Sequence, residues 1–201
     1  LNYTYTVNGN RMPSDMPWLV NLMKTGVSEK RVIADIRKAE EMADFTVVCP
    51  HWGEEYSFEI SEDQKYWTDI FLKNGVDLVI GAHPHVIEPI EWVKDENGNE
   101  MLVYYSLGNF VNGTTSVKGE LVNRMVGGMA DVTIGRDESG KVCVLEHTVQ
   151  PLVCHIDENE IYTVYFLRDY TEEMALQNLI VKQDSKFNLE ACYKVIHQVW
   201  G

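Results

Sequence analysis

Two short β-branched apolar runs, Phe45-Thr46-Val47-Val48-Cys49 and Val76-Asp77-Leu78-Val79-Ile80, constrain this chain more than any other feature. Their length and β-branching favour strands over buried helix. Near-continuous apolarity predicts strands covered on both faces, as in a parallel sheet, and places Cys49 in the core. Between them Ser61-Glu62-Asp63-Gln64 has capping-box spacing, Trp67, Ile70 and Phe71 share one helical face, and Gly75 stands where a helix would end. Such a strand-helix-strand unit is almost always a right-handed crossover between parallel strands, so both carboxyl ends open on one edge of the sheet. Ligand sites of open α/β sheets lie on that edge.

Each strand runs straight into histidine. Pro50-His51-Trp52-Gly53-Glu54-Glu55-Tyr56 follows the first, and Gly81-Ala82-His83-Pro84-His85-Val86 the second. Three imidazoles on one rim make a candidate metal site, because neutral imidazole is the commonest protein ligand for zinc-like ions and suits iron and manganese as well. Pro84 predicts extended backbone at His83, which would turn His83 and His85 to the same side. The alternative is three hydrogen-bonded histidines with no ligand. Glu54 and Glu55 add a carboxylate near His51, as ligand, orienting group or general base, and alternation lets only one of them face inward.

With 201 residues, 45% of them hydrophobic, the chain can bury a core without staples. A net charge of −14 and the lack of any basic run argue against nucleic acid and against an anionic membrane surface, so an anionic substrate would need a metal to hold it. The apolar runs are far short of a membrane span. Four cysteines occur with no Cys-x-x-Cys pair, and Cys143 and Cys154 can bond only if the chain doubles back between them.

The remaining segments repeat the α/β alternation. Tyr3, Tyr5 and Val7 alternate with polar residues as a strand would, and the chain opens at Leu1 already inside it, which reads as part of a longer protein. The Asn8-Gly9-Asn10 turn can approach a ligand or serve as a turn only. Ser28 is expected to cap a helix over Glu29 to Ala43, striped by Val32, Ile33, Ile36 and Ala39. Glu91-Trp92-Val93, a polar turn over 94–100, and a return strand from Met101 to Tyr105 lead to Ser106-Leu107-Gly108-Asn109-Phe110. There Asn109 can donate to a phosphate, ligate metal or cap a turn. Asn112 to Asn123 reads as a surface loop. Gly127 to Ile134 and Lys141 to Leu152 form a hairpin that holds His147, with His155 just beyond it. Thr171 caps a helix to about Val181, and Asn188 caps another striped by Leu189, Cys192, Val195, Ile196 and Val199. No linker divides the chain, so residues 1–201 are expected to form one domain.

Three ordered blocks, HWGEEY, GAHPHVIEPIE and YSLGNF, resemble the signature blocks of the CapA (PgsA-type) poly-γ-glutamate capsule synthesis proteins, and NYTYTVNG, GGMADVTI, PLV and DYTEE extend the likeness beyond Tyr170. The resemblance implies an α/β fold of the calcineurin-like metallophosphatase type, with two packed mixed β-sheets flanked by helices and a two-metal site at strand ends. His51, His83 and His85 match metal-binding histidines of that family. His51 and Glu55 are then the candidate catalytic residues, and Asn8, Gly9 and Asn109 the candidate substrate contacts. The cofactors implied are divalent ions of the manganese, iron or zinc class, two in the longer protein.

The family's earlier blocks, an Asp near the start, a Glu-bearing loop and an Asn-Asn-His segment, have no counterpart here. The expectation is an N-terminally truncated CapA-like domain that carries about half of a dinuclear site and turns over nothing alone. Implied partners are an anionic polymer or phosphate-like substrate and other capsule synthesis proteins, on the outer face of the cell envelope, with anchoring by a segment outside this chain. The rival expectation is a non-catalytic surface component that binds poly-γ-glutamate or helps assemble and export it.

Overall fold

The two runs that end in histidine are strands, and they pair. In the structure, a computed structural model that describes residues 1–112 and 121–201, five strands form one sheet: β1 (Asn2–Thr4), β2 (Val47–His51), β3 (Leu78–Ile80), β4 (Ile90–Lys94) and β5 (Glu100–Tyr104). Their order is β1-β2-β3-β5-β4, parallel except for the β4-β5 hairpin. Val47 stands opposite Leu78 and Val48 opposite Val79, and the register continues to a bridge between His51 and Ala82.

Helices α1 (Glu29–Glu40) and α2 (Glu62–Lys73) cover one face. The capping box at α2 forms as its spacing predicts: the Gln64 N–H donates to the Ser61 hydroxyl at 3.2 Å, and the Ser61 N–H to Gln64 Oε1 at 2.8 Å. At α1 the expectation fails on both counts. The helix stops at Glu40 rather than Ala43, and Ser28 has helical rather than extended backbone, so its hydroxyl faces back and accepts from the Lys24 N–H instead of capping. Val32, Ile36, Trp67 and Phe71 pack on Val48, Val79 and Val103 beneath them. Each such side chain, fully buried, contributes roughly 1.5–3 kcal/mol.

The other face meets a second sheet. The short helix α3 (Val122–Met125) leads into β6 (Val126–Arg136), which pairs with β7 (Val142–Ile156), and β7 pairs with β8 (Tyr162–Phe166), all antiparallel. Only the first sheet is therefore mixed. Leu78, Leu102 and Tyr104 pack against Val132, Val144 and Val149 between the two sheets. On the second sheet, helices α4 (Glu172–Gln177) and α5 (Leu189–Trp200) close a further core around Val126, Val153, Phe187 and Cys192. Thr171 and Asn188 cap these helices as expected, with hydroxyl and amide oxygens that accept from Met174 and Ala191 N–H groups. The predicted run to Val181 breaks at Asn178, a buried residue whose amide bonds Cys154 O and the Ile156 and Ile180 N–H groups.

Several expectations are corrected by this layout. Burial alternates along β2, because β6 and β7 cover β3 and β5 and leave the carboxyl half of β2 open on that side; Cys49 is exposed, not in the core. Cys143 and Cys154 lie eleven residues apart on the single extended strand β7, about 36 Å of chain, and are free thiols. His155 falls within β7 rather than beyond it, and β8 had no sequence signal strong enough to announce it. The first strand ends at Thr4, short of the alternation through Val7. Most of the 112–123 loop lies outside the described residues.

At the carboxyl edge of β3 the chain needs glycine for room. A Cβ on Gly81 would lie 2.0 Å from Tyr105 O and 2.4 Å from Trp52 Nε1, the very pair that hydrogen-bond to each other at 2.9 Å. Gly81→Ala must push that pair apart, and is expected to lower unfolding stability by about 1–3 kcal/mol or more, measured by urea denaturation.

Candidate functional site

Parallel pairing carries the chain past both strand ends in step. The Trp52 N–H donates to Ala82 O at 2.9 Å, the Ala82 N–H to Pro50 O at 3.0 Å, and the Tyr56 N–H to Pro84 O at 2.8 Å, which ties the His51 loop to the His83 loop. Three of the five described non-glycine residues with positive φ sit in these loops: Tyr56 at 69°, His83 at 115° and His85 at 62°. The extended backbone expected of His83 before Pro84 is thus overturned. A twisted His-Pro-His turn, pinned by backbone bonds from the neighbouring loop, brings the rings together instead of simple alternation.

The three imidazoles do share one rim. His51 Nε2 lies 3.0 Å from His83 Nδ1, with ring centroids 4.6 Å apart, and the His83 and His85 centroids are 6.2 Å apart. Burial, then the neighbouring imidazole charges, pushes the pKa values of His51 and His83 down. The neutral, ligand-competent form therefore predominates near pH 7.

His85 is held by the Asn109 amide. The Asn109 Nδ2 donates to the Arg124 carbonyl at 2.9 Å, which settles the amide orientation and turns Oδ1 to His85 Nδ1, 2.9 Å away. A neutral ring with its proton on Nδ1 donates to that oxygen and keeps its lone pair on Nε2, whereas the Asn112 amide, with Nδ2 3.4 Å from the same Nδ1, suits the other tautomer. The amide that the sequence offered as a substrate contact is engaged at both ends inside the protein. The Tyr56 ring stacks on His85, with centroids 5.7 Å apart, and carries the buried Arg124 guanidinium over its face at 3.7 Å.

Of the other sequence candidates, Glu55 is exposed on the rim, where its charge raises the pKa of the Tyr5 phenol, after burial, and acts against the lowering at His83. Glu54 instead lines a cavity of about 340 Å³ with Lys24, Ser61 and Asp63. Asn8 and Gly9 occupy an exposed turn whose hydrogen bonds, Asn8 N–H to Thr6 Oγ1 and Asn10 N–H to Val7 O, are local. A cleft of about 440 Å³ flanks His51 beside Thr4, Leu19 and Asn21. A larger cavity of about 580 Å³ lies away from the histidines, between α1 and β1.

Two of the rim nitrogens are spaced as ligands of one metal ion would be. Two nitrogens each ~2.0–2.1 Å from one ion lie roughly 2.9–3.4 Å apart, which matches the His51 and His83 separation. Among the described residues, however, no group of three or more His, Cys, Asp or Glu side chains is disposed to hold an ion. The fit is to part of a site, two imidazoles with His85 one step removed.

Sequence reasoning missed the group beneath. Glu88, three residues past His85, is completely buried; it accepts from Gln64 Nε2 at 2.6 Å, and its Oε1 meets no hydrogen-bond partner among the described residues. Gln64 also closes the α2 cap and packs on Gly53, so one amide links the helix cap, the His51 loop and the His83 loop. Burial pushes the Glu88 carboxyl up to about 8.

A mixed α/β fold with two sheets and a histidine-bearing strand edge defines the class. The family model for bacterial capsule synthesis protein PGA_cap matches residues 1–114, more than half of the chain, which therefore belongs to that family. It is 41% identical over 76 residues to the PGA biosynthesis protein CapA of Bacillus subtilis (strain 168), covering 38% of this chain and 19% of that protein. It is 28% identical over 154 residues to the capsule biosynthesis protein CapA of Bacillus anthracis, covering 76% of this chain and 34% of that protein. The chain thus spans about a third or less of these relatives' lengths. It is a CapA-type capsule biosynthesis protein.

Glu88 sets a pH dependence whose sign follows from its raised pKa. Between about 4.5 and about 8 the folded state keeps a proton that the unfolded chain has lost, so stability is full at the acid end and falls by about 1.4 kcal/mol per pH unit as pH rises. Glu88→Gln keeps the shape and removes the titration. Melting temperatures of the two proteins from about pH 5 to about pH 9 should diverge, with the variant increasingly the more stable, and level off above the folded pKa.

Proposed function

We propose that the rim of His51, His83 and His85 holds a divalent ion of the manganese, iron or zinc class, in a fold of the calcineurin-like metallophosphatase type, and that residues 1–201 form one unit of it. The observation that carries this reading is the 3.0 Å separation of His51 Nε2 and His83 Nδ1, two ring nitrogens turned to one point. His85 is the third candidate ligand, and Asn109 holds its ring in place. A bound ion would polarise a phosphoryl or acyl oxygen and lower the pKa of a water. In this reading Glu55, an exposed carboxylate whose charge reaches His83, would accept a proton at the rim, and the cleft beside His51 would take an extended anionic chain. A second ion, in this reading, would need carboxylates beyond these three histidines. Asn8 and Gly9 remain candidate contacts for substrate at the outer turn.

Zinc or manganese is expected to raise the melting temperature of this chain modestly, a chelator to reverse the rise, and His51→Ala or His83→Ala to abolish it. No phosphoesterase turnover is expected from the chain alone, tested with a chromogenic phosphoester. A melting temperature indifferent to metal and chelator would sink the metal reading.

A second reading is favoured by the names of the two relatives, a PGA biosynthesis protein and a capsule biosynthesis protein. Here the same rim binds poly-γ-glutamate on the outer face of the cell envelope, alongside other capsule synthesis proteins, and cleaves nothing. In the full-length protein, His83→Ala and His85→Ala measured for capsule retention and for phosphatase turnover separate the two. Lost retention with no turnover in the wild type selects the binding role.

A further inference from the structure

Tyr5 leaves the alternation predicted for the first strand, and where it goes bears on the site. Its N–H donates to His51 O at 3.1 Å, which continues the β1-β2 pairing by one residue. Its ring lies nearly parallel to that of His51, 12° apart with centroids separated by 6.4 Å, and its hydroxyl reaches His83 Nε2 at 3.1 Å. One residue thus braces one imidazole with its ring and addresses the next with its oxygen.

A neutral imidazole carries one proton, so events at one nitrogen decide the state of the other. If the phenol donates to His83 Nε2, the proton of His83 sits on Nδ1, the atom 3.0 Å from His51 Nε2, and that position can ligate nothing. If the phenol accepts from Nε2–H, Nδ1 presents a lone pair to the point it shares with His51. The metal reading needs the second arrangement, and the Tyr5 hydroxyl is the group within hydrogen-bond reach of Nε2, the nitrogen on the far side of the ring from His51. We infer that Tyr5 is a positioning residue whose hydroxyl accepts the Nε2 proton of His83 and so keeps the His83 Nδ1 lone pair facing His51. The inference rests on the metal reading for its use, since a lone pair held ready there serves only a ligand.

The test compares the wild-type chain with Tyr5→Phe, which removes one oxygen and keeps the ring. Nitrogen-15 correlation spectra of the histidine rings in metal-free protein report the tautomer directly. The expected result is His83 with its proton on Nε2 in the wild type and a mixture of tautomers in the variant. Zinc titration by calorimetry should then show an affinity lower by about 10- to 100-fold in the variant, with little change in metal-free melting temperature. A wild-type His83 protonated at Nδ1, or a tautomer unchanged by Tyr5→Phe, overturns the inference. If the wild type takes up no zinc at all, the metal reading falls, and the tautomer spectra decide the role of Tyr5 by themselves.

Discussion

The parallel register of β2 and β3 is the constraint from which the rest follows. It sets His51 opposite Ala82, and therefore one residue from His83. A slip of one residue would move every side chain of β3 to the opposite face, taking Leu78 out of the inter-sheet core and Val79 out of the helix-side core together. Two separate cores thus enforce the alignment that brings the imidazoles together. Beyond the strands the backbone is strained, and left-handed conformations at Tyr56, His83 and His85 cost on the order of 1–3 kcal/mol each. The hydrogen bonds between the two loops, and Trp52 locked to Tyr105 O beneath them, hold that strain in place.

What the sequence disclosed and what it hid divide along a physical line. The histidine-bearing strands, the capping box of α2 and the caps at Thr171 and Asn188 were legible because each depends on neighbours in the chain. The twist at His83 was not, since local sterics before Pro84 argue for extended backbone and only contacts from the other loop override them. Cys49 misled for a related reason: its β-branched surroundings look buried, but burial depends on how far a sheet more than seventy residues later extends. Tyr5, Arg124 and Gln64 act on the site across 78, 68 and 24 residues respectively, to His83, Tyr56 and Glu88. No local pattern could have announced them.

Gln64 shows how the fold and the site are the same problem. Its side chain satisfies the first turn of α2 with one end and the buried Glu88 with the other, and Gly53 leaves it the space to do both. A carboxyl group out of water is tolerable only when neutral or paired. Among the described residues the Gln64 amide is the hydrogen-bond partner of the Glu88 side chain and no cation offsets its burial, so Glu88 keeps its proton and its pKa rises.

The same economy of charge governs the rim itself. The partners that fix His83 and His85, the Tyr5 hydroxyl and the Asn109 amide, are uncharged, although the chain carries 31 acidic residues. A carboxylate behind each imidazole would make it a stronger base and favour its protonation at neutral pH. Neutral partners orient the rings without that effect, and burial pushes His51 and His83 further toward the unprotonated form. They also add no negative charge behind the rings, so the field that an arriving anion meets there comes from Glu55 rather than from a ring of carboxylates. In a protein with a net charge of −14, holding the histidines this way keeps further negative charge away from the rim.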